Sequence, residues 1–292
     1  MIKFWSYNRE LKKYKKKIHS KINKSLNSGQ IFFGNELSDF EKKFIKKNRS
    51  KYGVAVGSGT DALFIALKSL GIKKGDEVIT AANTAIPTIS AIRSTGASPK
   101  LVDIGNDYLI DPLKIEKEIT NRTKIIIPVH LYGQTCEMEK IIKIAKKYKI
   151  KIVEDCAQSQ GAKYKNRFCG TIGELGCFSF YPTKILGAYG DGGFILTNDY
   201  NLYKKIKRIR FYGIETVDKK NKYFNKYYSN EDGINSRLDE IQAGILNFKL
   251  SIIEKLIARR RHLARLYFKE LTSTELKLPL IRKYSDHVFH LF

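Results

Sequence analysis

The sequence is short of several things, and each shortage excludes a class of protein. No run of 18 or more apolar residues occurs in its 292, so no segment reads as a membrane-spanning helix. The opening residues, Met1-Ile2-Lys3-Phe4-Trp5, lead straight into a lysine-rich amphipathic segment and lack the apolar core of a signal peptide. Cysteine is scarce. The four present, Cys136, Cys156, Cys169 and Cys177, form no C-x-x-C pair and no His-Cys cluster. They are expected to be free thiols in a reducing cytoplasm, with no metal site. Neither an internal repeat nor a low-complexity tract is visible. Acidic residues are few: 29 Asp plus Glu face 54 Lys plus Arg, a net charge of +25. That excess could serve nucleic acid or an anionic substrate. It is not gathered into one block, however. Pairs and triplets such as Lys12-Lys13, Lys15-Lys16-Lys17, Lys42-Lys43 and Lys146-Lys147 are spread along the chain. A nucleic-acid-binding protein predicts clustered charge and a recognition motif, and neither is present. Solvated helix faces account for the charge more simply.

What is present is a regular alternation. Leu11, Tyr14, Ile18, Ile22 and Leu26 predict an amphipathic helix ending near Ser28-Gly29, and a second helix is expected from about Leu37 to Lys47. Seven short apolar runs then read as strands: Gly53–Val56, Glu77–Thr80, Pro99–Val102, Lys124–Val129, Ile150–Glu154, Cys177–Phe180 and Gly193–Thr197. Segments of helical length, such as 60–75 and 137–149, separate several of them. This is the pattern of an α/β domain with a mostly parallel sheet and ligands at the carboxyl ends of its strands. Beyond it come a basic helix (Leu202, Ile206, Ile209), a polar loop over 218–235, a helix marked by Leu238, Ile241, Ile245 and Leu246, and a long helix over Leu250 to Leu271. The final run, His287-Val288-Phe289-His290-Leu291-Phe292, reads as the first half of a strand with an exposed apolar edge. Two units are expected, 1–235 with the α/β domain and 236–292 as the start of a smaller C-terminal domain.

The chemistry gathers around Phe178-Ser179-Phe180-Tyr181-Pro182-Thr183-Lys184. Pro182 ends the apolar run, which leaves Lys184 on the turn that follows. No other charged residue lies within six positions of it on either side, and glycines follow at 187, 190, 192 and 193. A lysine so enclosed can lose its hydration, drop its pKa and act as a nucleophile for Schiff-base chemistry. Gly57-Ser58-Gly59-Thr60 opens a helix after a strand, which suits either a phosphate site or simple capping by Ser58 or Thr60. Asp155 closes a buried strand, where a carboxylate needs a cationic partner unless it merely caps the next turn. Ser179 can add a hydroxyl near a phosphate or satisfy a neighbouring carbonyl. A lysine nucleophile, a buried Asp and a phosphate cradle together are what pyridoxal phosphate requires.

These residues resemble the DegT/DnrJ/EryC1/StrS sugar aminotransferases, fold-type I pyridoxal-phosphate enzymes. The likeness runs through Ser58-Gly59-Thr60-Asp61-Ala62-Leu63, Gly75-Asp76-Glu77-Val78-Ile79 and Ile127-Pro128-Val129-His130-Leu131-Tyr132-Gly133. It continues in Glu154-Asp155-Cys156-Ala157-Gln158, the Lys184 segment, Gly190-Asp191-Gly192-Gly193 and Asn235-Ser236-Arg237-Leu238-Asp239-Glu240-Ile241-Gln242-Ala243. The resemblance implies that Lys184 carries the cofactor aldehyde and moves the proton during transamination. It implies that Asp155 partners the pyridine nitrogen and Gln158 the ring hydroxyl. Gly59, Thr60 and Ser179 match the phosphate cradle. Asn235 matches a residue reaching the phosphate of a neighbouring subunit, so a homodimer with shared active sites is expected. The implied reaction moves an amino group, usually from glutamate, to a nucleotide-linked keto-sugar for polysaccharide biosynthesis.

Two departures stand out. Many members carry an aromatic after Asn83-Thr84 that covers the cofactor ring, and here that position is Ala85. Members also continue for several tens of residues past the equivalent of Phe292, so a fragment without activity is one alternative reading. A pyridoxamine-type sugar dehydratase is another. Those relatives replace the lysine by histidine, and Lys184 argues against it.

Overall fold

The structure is a computed structural model that describes residues 6–215 and 228–292. Two helices come first, α1 (Tyr7–Asn27) and α2 (Asn35–Asn48). In α2 the spacing of Leu37, Phe40 and Phe44 puts all three on the buried face. Strands and helices then alternate: β1 (Tyr52–Val56), α3 (Gly59–Ser69), β2 (Glu77–Ala81), α4 (Ile86–Ser94), β3 (Ser98–Val102), α5 (Pro112–Ile115), β4 (Thr123–Ile127), α6 (Met138–Tyr148) and β5 (Lys151–Asp155). A two-residue hairpin follows, β6 (Lys163–Tyr164) and β7 (Arg167–Phe168), before β8 (Leu175–Ser179), β9 (Gly193–Thr197) and α7 (Tyr200–Ile209). The last elements are α8 (Glu240–Ser251), α9 (Ile253–Leu271) and β10 (Ser285–Asp286).

All seven anticipated strands exist and form one sheet in the order β1-β9-β8-β5-β4-β2-β3. Only β9 runs against its neighbours, pairing antiparallel with both β1 and β8. The carboxyl ends of β1, β2, β4, β5 and β8 therefore lie along one edge, and that edge collects the chemistry. Aromatic side chains fill the layer between the sheet and α2. The Phe44 ring meets Phe178 edge-on, with centroids 5.1 Å apart, and lies 4.6 Å from Phe194. Leu238, Ala243, Leu246 and Leu250 from the start of the C-terminal part belong to the same buried cluster. Among the described residues no helix is long and apolar enough to cross a membrane.

The ends of the chain differ from the sequence expectation. The run 288–292 is not a strand, and of its apolar residues only Phe292 stays exposed. Val288 is fully buried and donates its N–H to the Gly133 carbonyl. Pairing occurs instead at Ser285–Asp286, which joins β6 and β7 in a three-stranded sheet absent from the sequence reading. Two-residue strands carry no periodicity to detect. Helix α4 also escaped, because Pro87 and a set of β-branched residues disguise a short helix. Of the polar loop over 218–235, residues 218–227 lie outside the described residues.

Candidate active site

Strand β1 leads into α3 through Gly57 and Ser58, and Ser58 caps the helix by accepting from the Asp61 amide at 3.0 Å. Capping is thus a role Ser58 does play. The Gly59 and Thr60 amides of the first turn have no helical partner, the arrangement that with the helix dipole suits an anion. Gly59 lies so close to β8 that a Cβ on it would come within 2.6 Å of the Ser179 Cβ. No side chain could be accommodated at 59, and the approach puts Gly59, Thr60 and Ser179 on one wall of a cavity of about 290 Å³. The Ser179 hydroxyl accepts from the Tyr181 amide at 3.2 Å.

Asp155 ends β5 and is 4% exposed. One carboxylate oxygen accepts from the Ala157 amide (3.0 Å) and the other from the Thr88 hydroxyl (2.8 Å). It therefore braces the following turn, as a capping residue would, and also lines the cavity. Gln158 lines it too. Its side-chain oxygen accepts from the Tyr132 amide at 2.8 Å, which turns the amide NH2 group outward as a donor. Tyr132 holds that amide in place from a left-handed backbone, φ 58°, an uncommon conformation for a non-glycine residue.

Lys184 is fixed by its own amide, which donates to the Tyr181 carbonyl at 2.8 Å. Burial pulls its pKa below the ordinary lysine value, against the opposing attraction of the Asp155 carboxylate. The glycine-rich loop after it is held from α8, where the Gln242 side-chain oxygen accepts from the Tyr189 amide at 2.9 Å. A larger cavity of about 520 Å³ lies alongside and shares Leu131 with this one. The lysine and the buried carboxylate line the smaller cavity, and the chemistry belongs there.

Asn235 stands apart. It is exposed, pairs with Phe211 through an isolated bridge, and does not line its own chain's cavity. It is not a helix cap either, since α8 begins five residues later with Asp239 accepting from the Gln242 amide. Its neighbour Ser236 ties this segment to α3 by accepting from Gly57 N (2.8 Å) and donating to Asp61 (2.7 Å). Ala85 lines the cavity, as do Pro87 and Leu131, while Tyr181 is the aromatic residue in its wall.

The absence of a His-Cys cluster in sequence does not carry over into space. His130, Glu154 and Cys156 are all buried and bring ligand atoms within 4.8 Å of one another. The ring nitrogens of His130 and the carboxylate of Glu154 are already engaged. Glu154 accepts from the amides of Gly170, Ile172 and Gly173 and from His130 Nε2, while His130 Nδ1 accepts from the Cys136 amide. Burial, with Glu154 next, pushes the Cys156 thiol well up. Sequence reasoning also missed Thr88 and His290. Thr88 was hidden in the unrecognised helix α4. His290 lies in the terminal run, which displayed only its apolar character; burial, Lys184 and Arg260 together lower its pKa to about 3.

Comparison with known proteins agrees with this geometry. The DegT/DnrJ/EryC1/StrS aminotransferase family matches residues 12–292. A dTDP-3-amino-3,6-dideoxy-α-D-galactopyranose transaminase of Aneurinibacillus thermoaerophilus is 45% identical over 293 aligned residues, covering 100% of this chain and 78% of that protein. A UDP-2-acetamido-2-deoxy-3-oxo-D-glucuronate aminotransferase of Pseudomonas aeruginosa is 40% identical, over 96% of this chain and 76% of that one. Among solved structures, S. venezuelae DesV in complex with a ketimine intermediate superposes with a TM-score of 0.94 at 37% identity, over 100% of this chain and 76% of its own.

Enzymes of this family use pyridoxal phosphate, and the residues here fit that group. An open helix N-terminus faces a cavity wall that tolerates no side chain at Gly59, and a buried carboxylate and a lysine of lowered pKa share the same cavity. By its sequence match, its sheet order and this cavity, the chain belongs to the DegT/DnrJ/EryC1/StrS aminotransferases, pyridoxal-phosphate enzymes of fold type I.

Proposed function

We propose that this protein transfers an amino group from an amino acid, L-glutamate, to the keto group of a nucleotide-linked deoxysugar, giving an amino sugar for polysaccharide biosynthesis. The observation that carries the reading is the joint placement of Lys184 and Asp155 in one cavity, the lysine amine desolvated and, among the described residues, in no ion pair. Bound pyridoxal phosphate supplies an electron sink for the bond changes at the amino-bearing carbon. The chain's own residues do the rest. Lys184 holds the cofactor and carries the proton, and its lowered pKa makes the neutral amine available near neutral pH. Asp155 keeps a positive charge on the ring nitrogen, which the cavity would otherwise disfavour. Gln158 presents its amide NH2 group to the ring hydroxyl. The amides at Gly59 and Thr60, with the Ser179 hydroxyl, hold the phosphate.

The relatives named for dTDP- and UDP-linked sugars support the substrate class. The exposed position of Asn235, outside its own chain's cavity, supports a homodimer in which this residue completes the partner's site. Four buried free thiols suit a reducing cytoplasm. A sugar dehydratase is the nearest alternative, and Lys184 stands where those enzymes use histidine. The test is to supply glutamate with thymidine- and uridine-linked keto-sugars and to follow the products by mass spectrometry. An amino sugar with matching 2-oxoglutarate supports the proposal. A dehydrated sugar, or no transfer from any amino acid, overturns it.

A further inference from the structure

Asp155 does not face Thr88 alone. Thr88 is 1% exposed, and its hydroxyl lies 2.8 Å from Asp155 on one side and 2.8 Å from the Thr84 hydroxyl on the other. A hydroxyl has one proton and a carboxylate can only accept. With Asp155 ionised, the Thr88 proton must go to Asp155, so Thr84 must be the donor to Thr88. The direction of the whole chain is set by the charge at its end. Thr88 is also the third residue of α4, which begins at Ile86 and runs for nine residues. The carboxylate therefore lies against the first turn of a helix, where the dipole favours a negative charge. Ala157 N–H supplies the remaining contact at 3.0 Å. Sequential hydroxyls of this kind polarise one another and strengthen the final bond to the anion.

We propose that Thr84 and Thr88 form a one-way hydroxyl relay that holds Asp155 as an oriented anion, which makes Thr88 a positioning residue for the ring nitrogen of the cofactor. Thr88 touches Asp155 and acts through it. The proposal rests on the reading of Asp155 given above. It also gives the β2–β3 connection a use in this chain, where Ala85 offers no aromatic cover.

The experiment uses the holoenzyme loaded with pyridoxal phosphate carrying 15N in the ring, whose chemical shift reports protonation of that nitrogen. Thr88→Val removes the donor at nearly constant shape, Thr88→Ser keeps it, and Thr84→Val cuts only the outer link. The expected result is a protonated shift in the unaltered protein and in Thr88→Ser. The shift should move clearly toward the unprotonated value in Thr88→Val and by a smaller amount in Thr84→Val. Cofactor retention by dialysis should weaken about tenfold in Thr88→Val, the effect of losing one charge-assisted hydrogen bond. A wild-type shift in a folded Thr88→Val overturns the proposal, as does a Thr88→Ser signal that moves as far as that of the valine variant. Should Thr88→Val not fold, Thr84→Val decides, and an unmoved signal there removes the relay. An unprotonated nitrogen in the unaltered protein would instead refute the role of Asp155, so the two failures are distinguishable.

Discussion

His130 Nε2 lies 3.0 Å from the Glu154 carboxylate, and neither side chain has any exposure to solvent. The Cys136 amide donates to the other ring nitrogen at 3.1 Å, so that nitrogen carries no proton and the imidazole donates through Nε2. Glu154 takes four donors in all, which pins the 170–173 turn beneath the strand that presents Asp155. A glutamate inside the core is here an organising centre for the floor of the site.

Glu154→Gln is therefore expected to destabilise the fold by about 3 kcal/mol, because an amide group would point a donor at other donors. Burial alone would raise the Glu154 pKa, but the His130 bond and the Gly173 and Gly170 amides outweigh it and hold the carboxyl below the ordinary value. The folded pKa is thus depressed. Its contribution is complete above the unfolded value of about 4.3 and is lost as pH falls through the folded one. Urea unfolding at pH 7 and at pH 4 checks both parts: the gap between protein and variant should narrow on the acid side. A gap that is unchanged or wider at pH 4 would contradict the assignment.

Borohydride reduction of the loaded protein should leave the cofactor on Lys184 alone. Lys184 is the lysine that lines the cavity with Asp155, and burial lowers its pKa. Peptide mapping reads the result. A label on any other lysine, or no label, would remove Lys184 from its role, and Lys184→Ala should lose at least about a thousandfold in rate.

Much of this was legible beforehand, for physical reasons. Lys184 announced itself because a lone cation among glycines and aromatics is rare in a lysine-rich chain, and Asp155 because a strand buried on both faces rarely ends in a carboxylate. Both signals are local. Thr88 gave no such signal, since its meaning depends on a hydroxyl four residues earlier and a carboxylate 67 residues later. The seven strands were visible as apolar runs, whereas the pairing of β10 with β6 joins segments that show no pattern of their own. The terminal run was misread as a strand because Val288 packs against the Gly133 turn and Phe289 and Phe292 lie against α9, with no strand partner.

Lys249 and Glu10 supply an asymmetric test of the N-terminal helix. Their 2.7 Å ion pair joins α1 to α8, with the lysine side chain 3% exposed and the glutamate 32%. Removing the more exposed partner is expected to be the more damaging change, because it leaves the buried ammonium unpaired. Glu10→Ala should cost about 2 kcal/mol and Lys249→Met less than about 1 kcal/mol. The first figure is limited by the lysine's ability to shed its proton, since burial already lowers its pKa against the pull of Glu10. Denaturant midpoints for the two variants settle the order, and the reverse order would show that the pair is solvated.

A shared site predicts complementation. Lys184→Ala and Asn235→Asp should each be inactive alone, the second because a new carboxylate repels the phosphate. Mixed dimers made by co-expression would contain one site with both residues intact and should recover up to about half of the specific activity per intact pair. No recovery in verified mixed dimers would return Asn235 to its own chain.

The stretch around Tyr132 has a consequence for how the protein is made. Thr135 N–H is satisfied by Ser285, 150 residues further along the chain, and Gln134 bonds at both ends with Leu280 and Arg282. Gly133 in turn accepts from Val288, and the Tyr132 amide beside it orients Gln158. The Gln158 wall of the cavity thus depends on contacts with residues about 150 positions further along, and closing so long a loop is slow. A cavity ready for the cofactor then requires that the sheet and the returning segment have already met.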